Sequence, residues 1–400
     1  MIDASPLALV LSGGGARGAY EVGVLKHVLG RLSARIGERG RPSIFCGTSV
    51  GAINACAVAA HYDKPDFGVS LLAESWTRLS LDDVFRLGWG DLAGLARWML
   101  GQVRPGGPQS LLDAAPLAEL VRTAIPWRGL HQGIADRRVL GVSVSTTDVE
   151  TGHTVVFVES SRPFSTSSRG PLEWAEARLL PQHALASAAI PIIFPTVRVA
   201  GRMYSDGSLR QNTPIAPALR LGAGRALIIG LRAAMGPSPT VRQAPDERQA
   251  FSSPIYLFGK LLDALLLDRV EADLSNLRQV NLALSELQRL SPLAIGNEPV
   301  AAALEAAGGG LRPVLDLFLR PSQDLGQLAA HVLSRPAVRS RLSGPAGYLL
   351  RRLGEAAGRG DPSDMLSYLL FDSEYAGELM DLGEKDAIAR TDELEHFLAG

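Results

Sequence analysis

Cysteine is scarce in this 400-residue chain, which contains only Cys46 and Cys56. Their spacing fits neither a zinc site nor a redox pair, so no disulfide framework or metal staple is expected, and two buried thiols suit a reducing compartment. Excess charge of either sign is missing too. The 40 Lys+Arg residues face 41 Asp+Glu, a formal net charge of -1. That balance argues against a nucleic-acid partner and against strong global attraction to anionic membranes, so any membrane contact must be local. The start, Met-Ile-Asp-Ala-Ser-Pro, lacks the basic region and small-residue cleavage site of a secretory signal. Cytoplasmic residence is the expectation, with peripheral membrane contact and signal-independent export left open. A convincing membrane span is also lacking. Pro42 to Tyr62 carries no charge over about the ~20 residues a bilayer needs, but Gly47, Thr48, Ser49, Gly51 and Asn54 interrupt it.

What is present is ample apolar material, 46% of residues, enough for one large domain or a core with an appended region. Leu7 to Leu11 is a short apolar run stopped by Ser12 and three glycines, as a buried parallel strand ends. From Ala19 to about Ala34, Val22, Leu25, Val28, Leu29 and Leu32 recur at helical spacing. Ser43 to Cys46 predicts a second strand, with a turn at Gly47 to Gly51 and a helix over Ala52 to Ala60. Two strand-loop-helix units in the first 60 residues indicate an α/β core with a mainly parallel sheet. Further strands are expected at Leu140 to Thr146 and Thr154 to Val158. A helix should carry Ala184 to Ala189, a strand-to-turn element should run from Arg202 to Leu209, and Arg225 to Leu231 should be the last buried strand. Residues 1-232 therefore read as an α/β domain, 233-254 as a linker or surface loop, and 255-400 as an α-helical C-terminal region. In that last region the apolar face of Tyr256 to Leu267 fits a core helix better than a membrane-surface one; within residues 66 to 130, Trp89, Trp98 and Trp127 read as packing residues.

Three elements carry chemistry. Gly47-Thr48-Ser49-Val50-Gly51 is a G-x-S-x-G sequence between a predicted strand and a predicted helix. The two glycines permit a sharp turn that lifts the Ser49 hydroxyl above the sheet, and the helix end favours developing negative charge. Gly13-Gly14-Gly15-Ala16-Arg17-Gly18 follows the first strand, and backbone amides freed by such a loop form an anion site for a phosphate or an acyl-transfer oxyanion. It also satisfies the G-x-G-x-x-G of a dinucleotide fold. However, the acidic residue at the right distance, Glu38, sits in a polar run before the second strand begins. A P-loop fails because Ala19 and Tyr20 stand where Lys and Ser or Thr are required. The third element is Ser205-Asp206-Gly207-Ser208 after a short strand, by itself an ordinary turn. A hydrolase triad would place its His after the acid, leaving His331 and His396 in the helical region with no supporting motif, and its elbow would follow several strands.

The glycine loop, the serine elbow and Asp206-Gly207 together closely resemble the patatin-like phospholipase family. Three connecting segments resemble family landmarks in the right order: Ser110 to Leu117, Thr146 to Gly152, and Ala186 to Pro195. The resemblance covers about residues 7 to 230, and more weakly Tyr368 to Asp372. It implies a three-layer α/β/α core and a Ser-Asp dyad without histidine, with Ser49 as nucleophile and Asp206 as base. It further implies an oxyanion hole in Gly13, Gly14, Gly15, Ala16, Arg17 and Gly18, framed by the elbow residues Gly47, Thr48, Val50 and Gly51, and neither metal nor cofactor. The substrate would be a lipid ester met at a membrane or micelle surface. One departure is Ser208 beside Gly207, where the family usually has Gly or Ala, a hydroxyl able to add a hydrogen bond to Asp206. Arg17 is expected to brace the loop, the other role being to meet a lipid phosphate. The rival readings are a nucleotide-binding oxidoreductase using the glycine loop and a non-catalytic lipid-binding protein on the same fold.

Overall fold

The computed structural model describes residues 5-88, 112-164, 166-167, 172-191, 193-233, 270-290, 313-357 and 364-400. Their framework is one mixed sheet of nine strands among the described residues, with helices on both faces. The first strand, β1 (Leu7–Leu11), is followed by helix α1 (Ala19–His27), which continues through a π turn at Val28–Leu32 into a short helix, Ser33–Ile36. The periodicity over Ala19 to Ala34 is thus realised as one bent rod. Strand β2 (Ile44–Thr48) leads into α2 (Val50–Ala59), and α3 (Pro65–Arg78) and α4 (Ala115–Ala124) follow. Next come β3 (Gly141–Asp148), β4 (Thr154–Ser160) and β5 (Leu172–Glu176), then helix α5 (Pro181–Ser187). The short β6 (Val197–Val199) precedes β7 (Arg202–Asp206) and β8 (Arg225–Ile229).

The order across the sheet is β5-β4-β3-β2-β1-β8-β9, where β9 is Leu315–Leu319. Contacts among β1, β2, β3, β8 and β9 are parallel; β3 meets β4 antiparallel. Alternation in β1 serves two faces: Leu7, Leu9 and Leu11 join the larger core under α1 and α2, while Ala8 and Val10 pack with Ile44, Cys46 and Ile228 on the other. Because β1 and β2 are parallel neighbours, the loops at their C-terminal ends lie side by side.

Among the described residues the C-terminal region is helical except for β9, which pairs with β8, so β8 is not the last strand of the sheet. Its Leu-Asp-Leu-Phe-Leu run has no β-branched residue and sits among helical patterns, leaving only its pairing to define it. Helices α6 (Asp364–Leu369) and α7 (Ser373–Ile388) pack on the N-terminal half. Gly23 of α1 lies against the Met380 carbonyl and Gly383 of α7 against the Tyr20 carbonyl, and Lys26 reaches Glu384 at 2.6 Å. The same hydrophobic core contains Tyr20 and Leu25 together with Tyr375 and Leu379. The expected loop at 233-254, apart from Ala233, the Tyr256 to Leu267 helix, Trp89, Trp98, Ser110 and Leu111 lie outside the described residues.

Candidate active site

The elbow forms as its spacing predicts. Strand β2 ends at Thr48, and Ser49 stands at the N-terminal boundary of α2 with φ 55° and ψ −128°, a conformation that non-glycine residues rarely adopt. Gly47 packs on the Gly51 carbonyl and Ala52, and Gly51 lies against the carbonyls of Leu11 and Ser12, which joins the elbow to the end of β1. Val50 lines the adjoining cleft, and the Thr48 hydroxyl donates to the Gln211 carbonyl at 2.9 Å.

Sheet register brings the acid to the serine. Thr48, the last residue of β2, pairs with Ser145 of β3. The next β3 residue, Thr146, pairs with Asp206, because β7 runs antiparallel along β3 where β2 has turned away. Residues 157 positions apart in sequence thereby meet, and Ser49 Oγ donates to Asp206 Oδ2 at 2.6 Å. The other carboxylate oxygen accepts from the Ser208 amide at 2.8 Å. Asp206 is 1% exposed, and burial pushes its pKa up to about 6, against the opposing pull of the Ser49 hydroxyl and Ser208. The Ser208 hydroxyl contributes to that pull without the geometry of a full hydrogen bond. Gly207 is fitted against the Ser145 carbonyl.

The glycine loop approaches both Ser49 and the acid loop. A Cβ at Gly13 would stand 3.0 Å from Ser49 Cβ, 2.1 Å from Ser208 Oγ and 2.6 Å from Asn212 Oδ1, so only glycine admits this approach. The Gly13 amide is already committed to the Asn212 carbonyl. Among the described residues no hydrogen bond engages the amides of Gly14 and Gly15. Ala16 and Gly18 lie in the buried 3-10 turn that follows, Gly18 against Val50. The guanidinium of Arg17, buried, turns to the C-terminal region, donating to Ser367 Oγ at 2.8 Å and lying 4.3 Å from the Tyr368 ring centroid.

Sequence reasoning passed over two groups. Ser187 Oγ accepts from the Ser49 amide at 2.8 Å and donates to the Ser145 carbonyl at 2.6 Å, fixing the elbow. Its only signal in the sequence was its place in the Ala186 to Pro195 landmark. Asn54 donates to the Gly18 carbonyl and to Glu21 and accepts from Trp76 Nε1, tying glycine loop, elbow helix and α3 together. Burial holds the Glu21 carboxyl well above the usual carboxylate range.

Beside Ser49 opens a cleft with largely apolar walls, from Ile53, Leu72 and Trp76 to Val121, Phe194 and Phe371. His61 lines it, but its ring nitrogen contacts the Ala57 carbonyl. His183 caps its own helix against the Leu180 amide and packs edge-on to Phe157, and burial lowers its pKa. Glu38, the acid a dinucleotide site would need, sits in the turn before β2 beside Arg138. Asp148 of the Thr146 to Gly152 landmark accepts from the amides of Glu150 and Thr151, an architectural turn.

A profile of the patatin-like phospholipase family matches residues 9–219 of this chain, a span that contains the glycine loop, the elbow and Asp206. The chain belongs to the patatin-like phospholipase family. Its chemistry is that of a lipid hydrolase. Among solved structures, the chain is similar to VipD from Legionella pneumophila, at 12% identity and a TM-score of 0.30, covering 94% of this chain and 67% of that one. A second is full-length ExoU bound to SpcU, from the type III secretion system of Pseudomonas aeruginosa. It gives 18% identity and a TM-score of 0.27, covering 91% of this chain and 70% of that one. No curated protein matches the chain in sequence. Among the described residues of this patatin-like protein there is no helix long and apolar enough to cross a membrane, and no His, Cys, Asp and Glu grouping suited to a metal ion.

Proposed function

We propose that the chain hydrolyses carboxylic esters of lipids, as a phospholipase A or lysophospholipase, through an acyl-enzyme on Ser49 with Asp206 as its only catalytic partner. The supporting observation is the 2.6 Å hydrogen bond between the Ser49 hydroxyl and a wholly buried carboxylate. An aspartate in water, with a pKa of ~3.9, is too weak a base to take a serine proton efficiently. Burial raises Asp206 to about 6 and brings it closer to what the transfer needs. As Ser49 Oγ attacks the ester carbon, its proton passes to Asp206 Oδ2 and the carbonyl oxygen becomes an oxyanion held by the amides of Gly14 and Gly15. Collapse breaks the ester bond, and Asp206 returns its proton to the departing alcohol oxygen. Water then attacks the acyl-enzyme with Asp206 again taking a proton, releasing the fatty acid and restoring the serine. The apolar cleft receives the acyl chain. On this reading the protein works in the cytoplasm, at membrane or micelle surfaces where such esters gather.

The test is a panel of phospholipids, lysophospholipids, glycerides and small esters with wild type, Ser49→Ala and Asp206→Asn, with fluorophosphonate labelling alongside. Both variants should lose at least about a thousandfold in turnover, and Ser49→Ala should not be labelled. Ester hydrolysis that survives Ser49→Ala would refute the assignment.

A further inference from the structure

The glycine loop is not self-supporting. A positive φ of +57° at Gly15 turns the chain, and a Cβ there would stand 2.4 Å from the Tyr368 carbonyl, so the backbone of α6 lies directly on the loop. The Arg17 side chain leaves the loop toward the same segment. Its Nε donates to Ser367 Oγ at 2.8 Å, its guanidinium lies over the Tyr368 ring, and Arg17, Ser367 and Tyr368 are all 3% exposed or less. After that turn the chain continues through Leu369 and Phe371, which line the cleft, to Asp372. Asp372 is gripped by Arg341 at 3.0 and 3.1 Å and caps α7 through the Glu374 amide. Helix α7 in turn lies along α1, the helix the glycine loop starts. The loop is therefore enclosed between the helix it begins and a segment about 350 residues further along the chain.

We infer that Ser367 and Tyr368 are positioning residues for the reaction, acting through Arg17 to hold the Gly14 and Gly15 amides where the oxyanion forms. This rests on the function proposed above for its kinetic consequence, and on geometry alone for the ordering of the loop. The physical reason is that two glycines give the loop more conformational freedom than any other residues would. An oxyanion hole works only when its donors are fixed before charge develops, since reorganisation during the reaction cancels the gain. A buried charge-assisted hydrogen bond and a cation-π contact supply that fixation from outside the loop. It also means that Arg17 is engaged in bracing and is not the receptor for a lipid phosphate.

Ser367→Ala removes the hydrogen-bond acceptor at a position that does not line the cleft. We expect kcat on a short soluble ester to fall roughly tenfold, with KM within about twofold and the melting temperature somewhat lowered, because a buried guanidinium donor loses its acceptor. Hydrogen exchange of the peptide spanning residues 12-20 should speed up in the same variant, a readout that needs no substrate. In a double-mutant cycle, Ser367→Ala should cost much less in an Arg17→Met background than in wild type, because its effect runs through the Arg17 guanidinium. Unchanged exchange in Ser367→Ala would overturn the inference, as would full additivity in the cycle or a loss expressed in KM alone. If wild type hydrolyses no ester, the proposed function fails, and the exchange measurement still decides whether the clamp orders the loop.

Discussion

Replacing Asp206 with asparagine should abolish turnover and at the same time stabilise the fold at alkaline pH. The carboxyl has a folded pKa of about 6 against a reference of 3.8, because burial penalises its charged form. A carboxyl whose pKa rises on folding favours the native state only while protonated. That contribution is complete below the unfolded value near 4 and is lost as pH climbs through 6. Above about pH 7 the folded protein carries an ionised Asp206 at a cost, relative to the protonated group, of about 3 kcal/mol, from two units at ~1.4 kcal/mol each. An asparagine side chain in its place would keep an acceptor for the Ser208 amide and offer its NH2 group to the Ser49 hydroxyl, which can reverse its role. Chemical denaturation of wild type and Asp206→Asn at pH 8 and pH 4 tests this. The variant should be the more stable at pH 8, with the advantage shrinking to near zero at pH 4. A variant less stable at pH 8, or a difference independent of pH, would refute the claim that the carboxylate is held against its desolvation cost.

In the proposed mechanism the same carboxylate must be ionised to accept the serine proton, so kcat/KM should rise with pH to a plateau above about 7 and be roughly tenfold lower at pH 5. A limb at the ordinary carboxylate value, measured across pH 4 to 9, would contradict it. Ser187→Ala removes the acceptor for the buried Ser49 amide, so it should cost about 1–3 kcal/mol of stability and lower kcat with little change in KM, measured by denaturation and steady-state kinetics. Gly13→Ala places a methyl group against Ser49, Ser208 and Asn212, and kcat should fall by about a hundredfold or more. His61→Ala enlarges the cleft without touching the proton path, so KM should move and kcat should stay within about tenfold. A loss in His61→Ala comparable to that of Ser49→Ala would replace the dyad with a triad.

How much was legible depended on how local each feature is. The elbow and glycine loop follow from glycine spacing after apolar runs, because the turn they require is set by neighbouring residues. Strands β1, β2, β3 and β8 showed through their apolar residues for the same reason, whereas β5 and β9 have no decisive local pattern and take their strand character from the neighbours they pair with. Asp206 was identifiable as a turn residue and, through the family resemblance, as an acid. Only tertiary structure brings it to Ser49, since the register that ends β2 at Thr48 and starts the β7 pairing at Thr146 involves three strands far apart in sequence. Burial, which moves its pKa, has no local signature at all. The roles of Ser187 and Ser367 were equally hidden, because a serine's meaning lies in the atom it meets. Local geometry belongs to the sequence; the pairing of distant polar groups in a dry interior belongs to the packing that brings them together.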